Sequence, residues 1–173
     1  MDSHASSEPS ALIIEHLPRF PKGRALDIAT GYGRNALYLA AHGYDVEALD
    51  RDEAGLAFIR AEAEKHRLPC VATAVDLEGE KPLPGRDYAL ISCFYYLDRK
   101  LIPHIKEALK KGGVLVYETF LIDQHERFGK PARREFCWGH NELLRLFLDS
   151  RILFYFEGFK EERWIVQLIA ERI

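Results

Sequence analysis

The chain has 173 residues, 24 Lys+Arg against 27 Asp+Glu, and 47% hydrophobic residues. High apolar content with a net charge of −3 excludes disorder for the chain as a whole, and it leaves no general positive field to gather nucleic-acid phosphates. One domain that buries about two-thirds of its unfolded surface is the natural reading.

Taken in chain order, residues 1–24 read as a mobile leader with a short helix over Glu8–Leu17, Pro9 falling in its first turn. Residues 25–173 read as a single domain. Arg24–Ala29 is a predicted strand, Asn35–His42 a helix stopped by Gly43, Tyr44–Leu49 a strand, and Asp52–Arg67 a helix bounded by Leu68-Pro69. Cys70–Val75 and Asp87–Cys93 are predicted strands, Arg99–Lys111 an amphipathic helix ending at Gly112-Gly113, and Val114–Phe120 a strand. Strands separated by helices demand parallel pairing with helices on both faces, and near-continuous Val, Ile, Leu and Ala fits burial on both sides. Residues 121–140 lack periodicity and carry Phe128, Phe136, Trp138 and several arginines, which predicts a loop packed over the substrate side. Asn141–Leu148 is a predicted helix. Arg151–Phe156 and Trp164–Ala170 are strands whose connection is too short for a crossover, so they pair antiparallel. The expected fold is a Rossmann-like, mostly parallel seven-stranded sheet with a C-terminal antiparallel hairpin.

Cys70, Cys93 and Cys137 form no CxxC pair, and Met1-Asp-Ser-His-Ala is polar, unlike a secretory leader. No apolar run approaches the roughly 18 residues of a membrane span. The expectation is a cytoplasmic protein with reduced thiols, no membrane association and no metal site.

The most informative segment is Ala25-Leu-Asp-Ile-Ala-Thr-Gly-Tyr-Gly-Arg-Asn35, a strand entering a tight glycine turn and leaving as a helix. Gly31 and Gly33 permit a sharp turn and close approach to a ligand. The following helix presents unpaired N–H groups to it. Asp50 lies 17 positions after Gly33, at the end of the second strand, where a carboxylate accepts from ribose hydroxyls. Asp76 closes the third strand and is suited to an exocyclic amine such as that of adenine, with shaping a turn as the alternative role. Together these residues predict an adenosine-containing cofactor. Gly31-x-Gly33-x-x-Ala36 satisfies the loose dinucleotide pattern, so an NAD-type oxidoreductase is one alternative. Asp27 argues against it: a carboxylate beside the cradle repels pyrophosphate and suits the cationic tail of S-adenosylmethionine.

With those residues in view, Asp27–Asn35, Asp50 and Asp76 resemble the first three motifs of class I S-adenosylmethionine-dependent methyltransferases. Gly33-Arg-Asn-Ala-Leu-Tyr-Leu-Ala40, Gly43-Tyr-x-Val46, Ala48-Leu-Asp50 and Glu118-Thr-Phe120 are similar to the small tellurite-resistance-type subgroup. The resemblance implies that Asp27, Thr30, Gly31, Tyr32, Gly33 and Asn35 surround the methionine part. It further implies that Asp50 takes the ribose with Arg51 beside it, that Asp76 and Leu77 address adenine, and that Cys93 and Phe94 border the sulfonium. Ala29 stands where many relatives have glycine, and strand geometry there would accommodate it.

Methyl transfer needs nucleophile and methyl aligned at about 3 Å, and a base only when the acceptor must lose a proton. Glu118, His125 and Tyr95 are the candidate catalytic residues. His140, just before a helix start, is equally suited to capping. The arginines of 121–140 face enough acids to read as a solvated surface. With no room for a separate substrate domain, the expected activity is methyl transfer to a small-molecule acceptor; a binding module that keeps the cofactor but lacks turnover is the other alternative.

Overall fold

The computed structural model describes residues 7–79 and 83–173. Seven strands form one sheet: β1 (Arg24–Ile28), β2 (Asp45–Asp50), β3 (Cys70–Ala74), β4 (Tyr88–Phe94), β5 (Leu109–Phe120), β6 (Arg151–Lys160) and β7 (Arg163–Glu171). Their order is β3-β2-β1-β4-β5-β7-β6. The first five pair in parallel, and β7 inserts antiparallel between β5 and β6. This is the expected Rossmann-like architecture, including the terminal hairpin.

The helices are α1 (Ala11–His16), α2 (Arg34–Ala41), α3 (Glu53–His66), α4 (Leu101–Ala108), α5 (Ile122–Phe128) and α6 (Glu142–Leu146). Alternate residues of each central strand feed two cores. Leu26, Ile28, Ile91 and Leu115 pack with Ile102 and Ile105 of α4 on one face. On the other, Ala25, Val46, Leu90 and Val116 pack with α2 and α3. β4, Tyr-Ala-Leu-Ile-Ser-Cys-Phe, is buried along its whole length, as a strand covered on both faces must be. Each fully buried Leu or Ile contributes about 1.5–3 kcal/mol.

Four expectations are corrected. The predicted helix over Arg99–Lys111 stops at Ala108, and Leu109 already pairs with Tyr88 in β5. The next paired residues are Leu90 and Val114, so Lys110–Gly113 form an excursion within the strand. That excursion is tied by Gly112 N–H donating to the Arg172 carbonyl at 2.7 Å. The final two strands are longer than expected, and only Glu161 and Glu162 connect them, both left-handed at φ 49° and 63°. Two successive positive φ values match the right-handed twist of a hairpin. Residues 121–140 are not simply loop, since they contain α5 and a 3-10 turn at Arg134–Phe136, and Trp138 is fully buried beside Leu121.

The leader is also more ordered than expected from Ser10 onward; the part of that expectation falling on residues 1–6 lies outside the described residues. Pro9 precedes α1, whose Leu12 and Ile13 are buried with Leu17 and Phe20 in the second core. Ser10 is buried, and its N–H donates to Asn35 Oδ1 at 2.9 Å, fastening the leader to α2.

Candidate functional site

The turn after β1 places Ala29, Gly31 and Gly33 at φ 53°, 57° and 76°. Three left-handed residues within five positions reverse the chain before α2 begins at Arg34. Ala29 is therefore not in strand geometry as expected, and it occupies a conformation that glycine adopts at less cost. The two glycines differ in surroundings. A Cβ on Gly33 would lie 2.5 Å from Ile59 Cγ1, whereas one on Gly31 would meet nothing within 4 Å.

Parallel pairing brings the ends of β1, β2, β4 and β5 to one rim. Asp27, aligned with Ser92 across β1 and β4, is 2% exposed. Its carboxylate accepts from Ser92 Oγ and Thr30 Oγ1, each at 2.6 Å. Burial pushes the carboxyl pKa up, opposed by these two hydroxyls and by the charge of Arg34. Asp50 accepts from the Gly31 N–H at 2.8 Å through one oxygen, and from the Arg51 and Asp52 N–H groups through the other. It thereby links the end of β2 to the glycine turn. Asp52, not Asp50, caps α3, accepting from Ala54 N–H at 3.2 Å.

Asp76 accepts from the Glu78 N–H at 3.0 Å and shapes a turn, with Leu77 buried beside it. Cys93 is 1% exposed, and burial pushes its thiol well up. A thiol in that state packs as a small apolar group. Cys70, Cys93 and Cys137 are all free.

Two neighbouring cavities open on this rim. The larger, about 590 Å³, is lined by Asp27, Thr30, Gly31, Tyr32, Asn35 and Phe94 among the expected cofactor residues. Gly33, Asp50, Arg51, Asp76, Leu77 and Cys93 do not line it. Phe58 of α3 does, its ring centroid 5.7 Å from that of the exposed Tyr32. The smaller cavity, about 280 Å³, shares Arg34 and Tyr95 with the first. Its other walls come from the leader at Glu8–Ala11, from Glu118, and from the hairpin through Lys160, Glu161, Arg163, Ile165 and Gln167.

The candidate catalytic residues separate. Tyr95 and Glu118 meet, the phenol donating to Glu118 Oε1 at 2.8 Å. Gln167 Nε2 donates to the other oxygen at 2.6 Å. Tyr95 itself is left-handed at φ 54° and donates its N–H to the Glu118 carbonyl at 2.8 Å. His125 stands elsewhere, its Nδ1 2.8 Å from the Pro131 carbonyl, and it lines neither cavity. No residue of 121–140 lines either cavity. The charges of that segment pair among themselves, as in Arg133–Glu135 at 2.9 Å and His140–Asp123 at 2.6 Å. Phe58, Arg163 and Gln167 carried no motif that marked them. The nearest signal was Phe58, an apolar residue on the otherwise exposed side of its helix.

The profile of the family described as "Tellurite resistance protein TehB" matches residues 10–163. The chain belongs to the TehB family. It is 30% identical over 144 residues to the probable S-adenosyl-L-methionine-dependent methyltransferase TehB of Haemophilus influenzae, covering 80% of this chain and 49% of that one. It is also 29% identical over 162 residues to hemagglutinin 1 of Eikenella corrodens, covering 90% and 53%. The chain spans about half the length of the curated relatives it matches. The crystal structure of TehB from Haemophilus influenzae superposes with a TM-score of 0.81 at 23% identity, over 93% of this chain and 61% of that chain. Magnesium protoporphyrin IX methyltransferase from Synechocystis with bound SAH superposes with a TM-score of 0.72 at 15% identity, over 94% and 81%. At these identities the structural likeness establishes the fold: the TehB-family chain has the architecture of Rossmann-like methyltransferases. Among the described residues no helix is long and apolar enough to cross a membrane.

Proposed function

We propose that this TehB-family chain transfers a methyl group from S-adenosylmethionine to a small-molecule acceptor, the 590 Å³ cavity serving the cofactor and the 280 Å³ cavity the acceptor. The observation that carries the reading is the buried carboxylate of Asp27, which lines the larger cavity, accepts from two neutral hydroxyls and forms no ion pair among the described residues. A buried anion so placed complements an ammonium group and repels a pyrophosphate. It therefore favours S-adenosylmethionine over a dinucleotide. The names of the Haemophilus influenzae relatives point the same way.

The residues present fit that group. Asp27 and the Thr30–Gly33 backbone would hold the amino-acid end, and Asp50, on the same rim but outside the lining of that cavity and already held by three N–H donors, would accept from a ribose hydroxyl. When bound, the sulfonium supplies an activated methyl with a neutral leaving group. Phe94 and Tyr95 border both the cofactor side and the partition between cavities, where they exclude water. Tyr95 does not act as a base at neutral pH, because burial and then Glu118 push its phenol up to about 12. Glu118 is the group able to accept a proton from an acceptor. The leader and the hairpin turn, rather than residues 121–140, close the acceptor side in this reading.

Calorimetry with S-adenosylmethionine tests it. The intact protein should bind, and Asp50→Ala should weaken binding by about tenfold or more, the loss of charge-assisted hydrogen bonds. Undetectable binding by the intact protein would overturn the reading. Tight binding without S-adenosylhomocysteine formation across a broad acceptor panel would instead identify a module that binds the cofactor without turnover.

A further inference from the structure

The smaller cavity gathers charges of both signs that form no ion pair with one another among the described residues. Several arginines and lysines elsewhere do meet acids, as Arg99 meets Glu142, Lys106 meets Asp149 and Arg151 meets Glu171. Arg34, Lys160 and Arg163 all line this cavity, and none of them has a carboxylate within ion-pair distance among the described residues, although the charge of Arg34 acts on the buried Asp27. Arg34 instead donates to the Glu8 carbonyl and lies over the Phe94 ring. Arg163 lies over the Tyr95 ring, with Nη1 3.4 Å from the phenol oxygen.

The opposite imbalance lies in the same cavity. Glu118 is 7% exposed and has no ion-pair partner among the described residues. Its two hydrogen bonds come from neutral donors, Tyr95 and Gln167. Burying a carboxylate that no cation pairs with is costly. A simple anion would answer the cations and leave Glu118 unanswered. A simple amine would do the reverse. The exposed Glu8 and Glu161 at the mouth leave the lining as a whole near neutrality.

We infer that the 280 Å³ cavity takes a small zwitterion of amino-acid size, its ammonium against Glu118 and its carboxylate against Arg163 and Arg34. The inference rests on the reading of this cavity as the acceptor side. The volume suits a ligand of that size. Tyr95 fixes the two ends relative to each other: its hydroxyl bonds Glu118, while its ring carries the Arg163 guanidinium.

The test uses the whole protein, free and saturated with S-adenosylhomocysteine. The probes are the free proteinogenic L-amino acids, each compared with the amine left by removing its carboxylate and the acid left by removing its amine. Binding is followed by saturation-transfer NMR and calorimetry. At least one amino acid should bind about tenfold or more tighter than both of its halves, since each end makes a charge-assisted contact. Glu118→Gln should weaken that amino acid and its amine by about tenfold while sparing the acid, and Arg163→Gln should do the converse. Both variants should keep the affinity of the intact protein for S-adenosylhomocysteine, which also reports that they are folded. Acids binding as well as amino acids, with no response to Glu118→Gln, would overturn the inference in favour of an anion site. So would absence of binding by every probe to protein that binds S-adenosylhomocysteine. Failure to bind S-adenosylhomocysteine would instead count against the cofactor reading, while the probe comparison on the free protein still decides this one.

Discussion

Tyr95 and Glu118 are joined twice, by the Tyr95 phenol donating to the Glu118 carboxylate and by the Tyr95 N–H donating to the Glu118 carbonyl, each at 2.8 Å. The pair locks the end of β4 to β5 and holds a non-glycine residue at φ 54° between the two cavities. Positive φ at such a partition is strain that the surrounding contacts must offset.

The first prediction follows from the phenol. Burial, then the charge of Glu118, raise its pKa from the ordinary 10 to about 12. A folded-state value above the unfolded one means that the contribution of this group to stability is complete below pH 10 and is lost as pH climbs through about 12. Ultraviolet titration of the tyrosines should show a component near pH 12, to which Tyr96 also contributes, that shrinks by one phenol in Tyr95→Phe. The same substitution should cost about 1 kcal/mol at neutral pH, the ordinary worth of one such hydrogen bond. Loss of amplitude near pH 10 rather than near 12 would refute the assignment.

Ala29 yields a prediction of opposite sign. Left-handed backbone costs a non-glycine residue about 1–2 kcal/mol, and glycine returns part of that through its greater unfolded-state freedom. Ala29→Gly should therefore stabilise the protein by up to about 1 kcal/mol, a rise in Tm of roughly 2–4 °C for a chain of this size. Ala57→Gly, at an exposed position inside α3, should instead cost about 1 kcal/mol. Both are read by thermal denaturation, and a lower Tm for Ala29→Gly would contradict the strain.

The two glycines of the turn should respond unequally to alanine. Gly31→Ala meets open space and incurs only the backbone cost, about 1–2 kcal/mol. Gly33→Ala adds a collision with Ile59, which overpacks the contact between α2 and α3 and brings the total to about 3 kcal/mol or more. Denaturant titration should rank the variants in that order. Equal losses would mean that the contact with Ile59 relaxes freely.

His140 and Asp123 give the pH dependence of the opposite face. Their 2.6 Å contact raises the histidine pKa above its ordinary 6.5. The stabilisation is fully present below 6.5 and fades as pH rises through the raised folded-state value. In an NMR titration the His140 midpoint should lie above 6.5 and fall back in Asp123→Asn. The start of α6 should loosen in the same pH range, visible as faster amide exchange around Asn141.

The parts of this molecule legible in its sequence are those decided locally. Leu90-Ile91-Ser92-Cys93 announces a strand covered on both faces, and Asp27 with Gly31 and Gly33 announces a ligand turn, because neighbours in sequence do the work. The boundary between α4 and β5 was hidden because Ile102, Ile105, Ala108 and Leu109 continue a helical spacing, while only pairing with Tyr88 pulls Leu109 into the sheet. At Ala29 the glycine of many relatives was the sign of a left-handed backbone, and alanine itself, which does not advertise one, let the position be read as strand. Within the site, Asp27, Tyr95 and Glu118 could be named from strand ends. Phe58, Arg163 and Gln167 could not, because the register of the hairpin and the packing of α3 bring them there from distant stretches.

The hairpin turn has a consequence for how this family diversifies. β6 and β5 both run antiparallel to β7, so Lys160 and Glu161 reach the rim where β4 and β5 end. The turn itself is two residues, the shortest connection a hairpin uses. Residues inserted there in another lineage would hang over the smaller cavity without altering one strand pairing or touching the glycine turn. If the smaller cavity takes the acceptor as proposed, choice of acceptor and retention of the cofactor are separable, one lying at a surface turn and the other at the sheet edge.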